Sequence, residues 1–143
     1  MSVELPKGFT SYVTNVGIKD TTDDFTLVAA DSVCSAAGVF TQSRFAGPSV
    51  VVSREHLTDG RARGVVVISK NANVATGVTG MANAREVVAG VAASLGCQPT
   101  DVLIASTGVI GRQYPMDAVR TGLAAIPKTF SDTNAEEIGR AHV

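Results

Sequence analysis

The feature that most constrains the fold is a continuous apolar run, GVVVIS, at residues 64–69. Three consecutive valines in a run of this length are typical of a β-strand. The run lacks the alternation of apolar and polar residues that a half-exposed strand shows, so it predicts a strand buried on both faces. A second run of this kind, DVLIA, follows at residues 101–105. Two strands that are buried on both faces require a sheet with other elements packed on each of its faces.

A helical pattern separates the two runs. Residues 81–95 repeat apolar side chains at intervals of three and four, which predicts an amphipathic helix. Thr79 is a candidate cap for its start and Gly96 for its end. Pro115 suits the first turn of a further helix, with Asp117 near its positive end. The predicted fold class is α/β, a mixed sheet packed with helices in one domain.

The first half of the chain is predicted to form strands. Residues 24–30 alternate apolar and polar side chains near their start, and residues 36–41 (AAGVFT) suggest a second short strand. Residues 49–53 (SVVVS) follow a Gly-Pro turn and are rich in β-branched residues, which favours a third strand.

Composition excludes several classes of function. The 143 residues carry a net charge of −1, which gives no electrostatic basis for binding nucleic acid or an anionic membrane. No run of 18 apolar residues occurs and the N-terminus lacks a signal-peptide pattern, so a cytoplasmic protein without a membrane span is expected. Cys34 and Cys97 form no metal-binding pattern and are predicted to be buried free thiols. Neither GxGxxG nor a P-loop is present, and no cofactor or metal is expected.

The histidines do not indicate a catalytic triad. They are His56 and His142, and no GxSxG elbow occurs. His56 lies in a polar stretch and is predicted to be a surface residue rather than a base. Residues 76–80 (TGVTG) are read as a turn and helix cap in preference to a ligand-binding glycine loop.

Two segments follow the predicted buried strands directly. Residues 71–73 (NAN) favour a structural role, in which Asn side chains satisfy backbone groups, over a role in shaping a pocket. Residues 106–111 (STGVIG) place two glycines around a tight turn whose N–H groups and Thr hydroxyl suit an oxyanion hole. On spacing alone, a plain strand-end turn remains the stronger reading.

The combination of motifs is more specific than any one of them. In order and spacing, four segments resemble the N-terminal part of the ornithine acetyltransferase family, also called glutamate N-acetyltransferases of arginine biosynthesis. They are residues 38–41 (GVFT), 46–50 (AGPSV), 71–77 (NANVATG) and 106–111 (STGVIG). The resemblance extends from about Gly8 to about Met116.

This resemblance implies a self-processing precursor with an N-terminal-nucleophile-like fold. The precursor cleaves itself before a threonine, which takes an acetyl group from N-acetylornithine and passes it to glutamate. Thr107 and Gly108 match the residues that line the family's oxyanion hole. No cofactor or metal is implied, and α and β chains assemble into larger oligomers. Whether acetyl-CoA also serves as acetyl donor stays open.

Some segments depart from the common family pattern. Residues 68–70 read ISK where that pattern has Asn-Ser-Gly. Residues 41–48 and 111–116 are more similar to the branch encoded with clavulanic acid biosynthesis in streptomycetes. These departures leave arginine and clavam biosynthesis as alternative pathways for the same reaction.

The family's nucleophile has no counterpart in this chain. Thr129 and Thr133 lie in no matching context, and the β chain with its substrate-binding residues is absent. We therefore expect residues 1–137 to be a partial α-chain domain that is inactive by itself. The alternative is a stand-alone, non-catalytic α/β module.

Residues 138–143 (IGRAHV) are expected to be non-native. Their back-translation, ATC-GGA-AGA-GCA-CAC-GTC, matches the stem of a widely used sequencing adapter, whose next codon in this frame is a stop. A genomic read that retains this hexapeptide and the stop would contradict the expectation.

Overall fold

Antiparallel and parallel pairing are combined in one sheet. The computed structural model describes residues 3–140. Its four strands lie in the order β1 (Phe9–Thr14), β2 (Phe25–Ser35), β3 (Arg61–Ile68) and β4 (Val102–Ser106). β2 pairs antiparallel with β1 and with β3, whereas β3 and β4 run parallel. The predicted mixed α/β sheet is confirmed.

Four helices accompany the strands. They are α1 (Pro48–His56), α2 (Gly77–Leu95), α3 (Met116–Ala124) and α4 (Ala135–Arg140). Parallel strands need a long crossover, and α2 supplies it between β3 and β4. Gly96 ends α2 with a φ of 69°, as predicted, but Thr76 rather than Thr79 occupies the N-cap position. None of the helices within residues 3–140 is long and apolar enough to cross a membrane.

The hydrophobic core lies on one face of the sheet. The predicted apolar stripe of α2 packs there and is buried. α1 and α3 contribute Val52, Val119 and Leu123 to the same core. The sheet side chains that meet these helices include Phe25, Leu27, Val66, Ile68, Val102 and Ile104.

The opposite face of the sheet is only partly covered. Val28, Val65, Val67 and Leu103 point to this side and are half-buried, and none belongs to the core cluster. Within residues 3–140 no helix packs its apolar side chains over them. Within residues 3–140 the strand at residues 64–69 is therefore fully buried on one face only, not on both as predicted. We refer to Val28, Val65, Val67, Leu103 and Ala105 as the open face.

Residues 49–53 are helical, although their valines favour a strand. Gly47 is the N-cap and Pro48 stands at the first helical position, where its missing N–H costs nothing. Ser49, Ser53 and His56 follow at helical spacing and are all buried. This polar stripe, rather than the three valines, determines the conformation, because its partners are on β4.

The stripe of α1 pairs with the backbone and side chains of the edge strand β4. The Ser53 hydroxyl donates to the Ile104 carbonyl at 2.7 Å and accepts from the Ile104 N–H at 2.8 Å. His56 Nδ1 lies 2.8 Å from the Val102 carbonyl. Ser49, four residues before Ser53, lies beside Ser106, two residues after Ile104. Four helical residues rise about 6 Å and two strand residues about 6.6 Å, so these two spacings match. α1 thereby covers an edge that would otherwise be open to other strands.

Residues 36–41 form no strand. The two edges of the sheet are occupied by other parts of the chain: α1 lies along β4, and Asp132 forms a bridge to Ser11 of β1. The segment is held instead by Arg54, whose guanidinium donates to the Thr41 carbonyl at 2.7 Å. The same guanidinium lies 5.7 Å from the centroid of the Phe40 ring.

Replacing Ser53 tests the contact between α1 and β4. We expect Ser53→Ala to lower the free energy of unfolding by about 1–3 kcal/mol, because both backbone groups of Ile104 lose their partner. Ser94→Ala is the matched control, since Ser94 bonds only to the Gly90 carbonyl of its own helix. Urea denaturation of both variants makes the comparison. Equal stability would contradict the assignment.

Candidate functional site

The carboxyl ends of β3 and β4 lead into two loops that lie side by side. We call residues 69–76 and 107–113 the strand-end loops. Their backbones continue the parallel pairing of the strands, with an isolated bridge between Asn71 and Val109. Four N–H groups donate across the gap at 2.7–3.0 Å: Thr107 to Ile68, Val109 to Lys70, Ala72 to Val109, and Gly111 to Val74.

Asparagine side chains brace the first of these loops. Asn71 Oδ1 accepts from the Asn73 N–H at 2.8 Å, and its Nδ2 donates to the Gln113 carbonyl at 3.0 Å. Asn73, which is fully buried, donates to the Gly80 carbonyl at 2.9 Å and accepts from the Thr76 hydroxyl at 2.7 Å. The structural role predicted for residues 71–73 is visible in these contacts.

The first loop contains three side-chain-bearing residues in the left-handed region. Lys70, Asn73 and Ala75 have φ values of 71°, 50° and 58°. Asn tolerates this conformation, but Lys and Ala pay a steric cost in it. Glycine would adopt the φ of Lys70 without this cost.

Gly108 is in close contact with Lys70. It adopts a φ of 128°, and a Cβ at this position would lie 2.2 Å from the Lys70 carbonyl carbon. That distance is far inside van der Waals contact, so only glycine allows the two loops to approach as they do.

Thr107 and Gly108 both lie exposed at this turn. The Thr107 N–H is occupied, because it donates to the Ile68 carbonyl at 3.0 Å. The Thr107 hydroxyl and the Gly108 N–H have no partner among residues 3–140. The sequence predicts that the backbone N–H groups of this turn and the Thr107 hydroxyl are all available as oxyanion donors. In the structure one hydroxyl and one N–H remain as free donors.

The hydroxyl groups of Ser49, Ser106 and Tyr114 form a hydrogen-bonded cluster next to the turn. Ser106 Oγ lies 2.9 Å from Ser49 Oγ and also bonds to the Tyr114 hydroxyl. Burial raises the pKa of Tyr114, although hydrogen bonds to Ser106, Ser49 and Asn73 oppose the shift. Burial favours the neutral phenol of Tyr114. The stability that Tyr114 contributes is therefore fully present below its unfolded pKa of about 10, and it is lost as pH rises through the raised pKa of the folded state. Tyr114 lies within the segment 111–116 that the sequence analysis singled out, but no pattern in that segment assigned the side chain a role.

The other residues considered from sequence lie elsewhere. His56 is buried against β4, so the prediction that it is a surface residue is wrong, and His142 lies outside the described residues. Cys34 and Cys97 are free and half-buried. Within residues 3–140 no three His, Cys, Asp or Glu side chains cluster as metal ligands would.

Comparison with known proteins identifies the family of this chain. The ArgJ family profile matches residues 10–141. The chain is 53% identical over 121 residues to arginine biosynthesis bifunctional protein ArgJ 2 of Nostoc sp., covering 85% of this chain and 31% of that protein. It is 50% identical over 137 residues to glutamate N-acetyltransferase Oat2 of Streptomyces clavuligerus, covering 95% and 35%.

A solved structure shows the same fold. Ornithine acetyltransferase from Mycobacterium tuberculosis, complexed with ornithine, superposes with a TM-score of 0.88 at 31% identity, covering 98% of this chain and 77% of that chain. The sheet and its strand-end loops thus define an α/β protein of the ornithine acetyltransferase fold. The chain belongs to the ArgJ family. It spans about a third of the length of the curated relatives it matches. The similarity to Oat2 supports the resemblance to the branch found with clavulanic acid biosynthesis.

Substitutions at two glycines separate steric contact from backbone strain. Gly108 and Gly111 both have positive φ, but a Cβ at Gly111 would meet nothing within 4 Å. We expect Gly111→Ala to cost about 1–2 kcal/mol of stability from strain alone. Gly108→Ala should cost clearly more, because the loops must also separate. Thermal denaturation measures both, and equal losses would contradict the close approach at Lys70.

Proposed function

We propose that this chain is the N-terminal part of the α chain of a cytoplasmic acetyltransferase. The reaction moves an acetyl group from N2-acetylornithine to glutamate through an acyl-threonine intermediate, in arginine biosynthesis. The names of the relatives support acetyl transfer involving ornithine and glutamate, and the similarity to Oat2 keeps a clavam context as the alternative pathway. The observation that carries the proposal is the pair of free donors at Thr107 and Gly108.

The two donors suit an oxyanion hole. When a threonine attacks an acetyl carbonyl, negative charge develops on the carbonyl oxygen. Donors that are already oriented stabilise that charge without reorganising. Here the strand-end loops hold the turn by four backbone hydrogen bonds, and the contact between Gly108 and Lys70 sets its position. The Thr107 hydroxyl and the Gly108 N–H would bind the oxyanion.

The nucleophile is proposed to come from chain beyond the matched segment. Thr129 and Thr133 are exposed, and neither lines the cavity beside the strand-end loops. A turn that stabilises an oxyanion has no reaction to accelerate until a nucleophile attacks. The chain by itself is therefore inactive in this proposal.

A chimera tests the proposed role of Thr107. In it, residues 3–137 of this chain replace the corresponding part of Streptomyces clavuligerus Oat2. We expect the chimera to transfer acetyl groups from acetylornithine to glutamate and the 143-residue chain alone to show no turnover. Thr107→Ala in the chimera should lower kcat about 100-fold to 1,000-fold, the usual loss for one oxyanion donor.

Thr129→Ala is the control for this experiment. It removes a hydroxyl from an exposed threonine away from the turn and should leave kcat unchanged. Equal activity of the Thr107→Ala chimera and its parent would overturn the oxyanion assignment. Turnover by the 143-residue chain alone would overturn the proposed location of the nucleophile.

We further propose that the β chain and the remainder of the precursor cover the open face, within an assembly of αβ units. Val28, Val65, Val67 and Leu103 form a contiguous apolar surface across three strands. A stand-alone module would leave this surface in water, and exposed apolar patches of this kind mark contact sites. The open face therefore favours an enzyme component over an independent binding module.

Self-association of the isolated chain tests the open face. We expect the 143-residue chain to bind the dye ANS and to elute above its monomer mass in size-exclusion chromatography. Val65→Thr with Val67→Thr should reduce both, because threonine keeps the β-branched shape and adds a hydroxyl. Val78→Thr, at an exposed valine on α2, is the control. A clean monomer without dye binding would contradict an exposed contact surface.

A further inference from the structure

The loop that carries Thr107 and Gly108 is exposed along its whole length. Residues 107–113 are all exposed to solvent, whereas Tyr114, directly after them, is 3% exposed. Four backbone hydrogen bonds hold the loop sideways against residues 68–74. The way in which the two ends of this exposed loop are anchored therefore determines how firmly its donors are held.

A hydrogen bond between side chains joins the two ends of the loop. Ser106 is the residue before the loop and Tyr114 the residue after it, and their hydroxyl groups bond to each other. Ser106 Oγ also lies 2.9 Å from Ser49 Oγ, and Ser49 is 4% exposed on α1. The Ser106 hydroxyl therefore ties the start of the loop both to its end and to the helix beside β4.

The ring of Tyr114 and its hydroxyl have different partners. The ring belongs to the hydrophobic core on the helix side of the sheet. An apolar ring of the same shape would fill this space without the cost of taking a hydroxyl out of water. The hydroxyl bonds to Ser106, and Ser49 and Asn73 interact with it as well. Core packing thus explains the ring, and only the base of the strand-end loops explains the hydroxyl.

Asn73 connects the same hydroxyl to the other strand-end loop. Its side chain is fully buried and donates to the Gly80 carbonyl at 2.9 Å, which fixes it to the start of α2. Asn73 lies three residues after Lys70, whose backbone is in contact with Gly108. The Tyr114 hydroxyl therefore reaches both of the loops whose close approach sets the position of Gly108.

We propose that Tyr114 is a positioning residue for the oxyanion hole. This inference rests on the proposed function, in which the Thr107 hydroxyl and the Gly108 N–H bind the oxyanion. The Tyr114 hydroxyl bonds to neither donor. It holds the ends of the loop together, so that both donors keep the orientation that stabilises the developing charge without reorganising. A small displacement of such groups lowers the rate of reaction strongly.

Tyr114→Phe in the Oat2 chimera tests the proposal, because it removes only the hydroxyl. We expect kcat for acetyl transfer to fall about tenfold with KM unchanged, since the displaced donors act on the transition state rather than on substrate binding. Tyr12→Phe is the matched control. The Tyr12 ring packs against Phe130, away from the turn, and loss of its hydroxyl should leave kcat unchanged.

Combination with Thr107→Ala separates positioning from a merely structural role. Thr107→Ala should cost about tenfold less in the Tyr114→Phe background than in the parent chimera, because the Thr107 hydroxyl is already displaced there. If Tyr114 only stabilised the fold, the two losses in kcat would multiply. Full multiplication would therefore overturn the proposal, and so would an unchanged kcat in Tyr114→Phe.

Amide hydrogen exchange of the 143-residue chain tests the same contact without turnover. We expect Tyr114→Phe to speed exchange at Val109 and Gly111 about tenfold relative to Leu27 of the central strand β2, because the loop opens locally. Tyr12→Phe should not change this ratio. Equal acceleration at all three amides would show a general loss of stability and would reject the positioning role.

Failure of this inference is distinguishable from failure of the proposed function. An unchanged kcat in the Thr107→Ala chimera rejects the oxyanion hole itself. A loss from Thr107→Ala that persists in full in the Tyr114→Phe background rejects only the role of Tyr114. If the chimera shows no turnover, the exchange experiment still decides whether the Tyr114 hydroxyl holds the loop.

Discussion

The rest of the site depends on one interaction, the parallel backbone pairing of β3 with β4 that continues past the ends of both strands. Four N–H groups of the strand-end loops donate to carbonyls of the facing chain. This pairing brings Gly108 against the Lys70 backbone, at a separation that no side chain at position 108 would allow. The pairing also engages the Thr107 N–H, which donates to the Ile68 carbonyl. The Thr107 hydroxyl and the Gly108 N–H are therefore the donors that stay free at this turn.

A second contact explains how a short edge strand is kept in place. β4 has β3 on one side only, and α1 occupies the other side through Ser53 and His56. Hydroxyl and imidazole groups form the hydrogen bonds to the β4 backbone that a neighbouring strand forms elsewhere in the sheet. Ser49 extends the same stripe to Ser106, the residue before Thr107. One helix thus both protects the edge of the sheet and supports the candidate site.

The two faces of the sheet have different roles. One face carries the core and is closed by α1, α2 and α3. The other presents a row of half-buried aliphatic side chains with no helix over them in the part of the chain that the structure describes. Since the chain spans about a third of its relatives' length, most of a full-length relative lies outside the matched segment. The apolar face that no helix covers here is consistent with the large part of the relatives that this chain does not match.

Local patterns predicted the elements whose signals lie within one segment. The apolar runs at residues 64–69 and 101–105 are strands, and the stripe at residues 81–95 is a helix. Residues 49–53 were misread as a strand. The valines favour that conformation, but burial of the polar stripe against β4 outweighs their local preference. That stripe was present in the sequence, at helical spacing, and was the signal that could have identified α1.

The sequence by itself determined β2, β3, β4, the crossover helix and the position of a glycine turn at a strand end, because each depends on neighbouring residues, whereas β1 carries no local pattern that predicted it. Only the tertiary structure decided that Thr107 keeps a free hydroxyl but not a free N–H, and that Ser49 bonds to Ser106 at the base of the turn. These properties join residues more than 35 positions apart in the chain. Hydrogen bonds and contacts across such a separation leave no periodic trace in the sequence, so only the folded backbone establishes them.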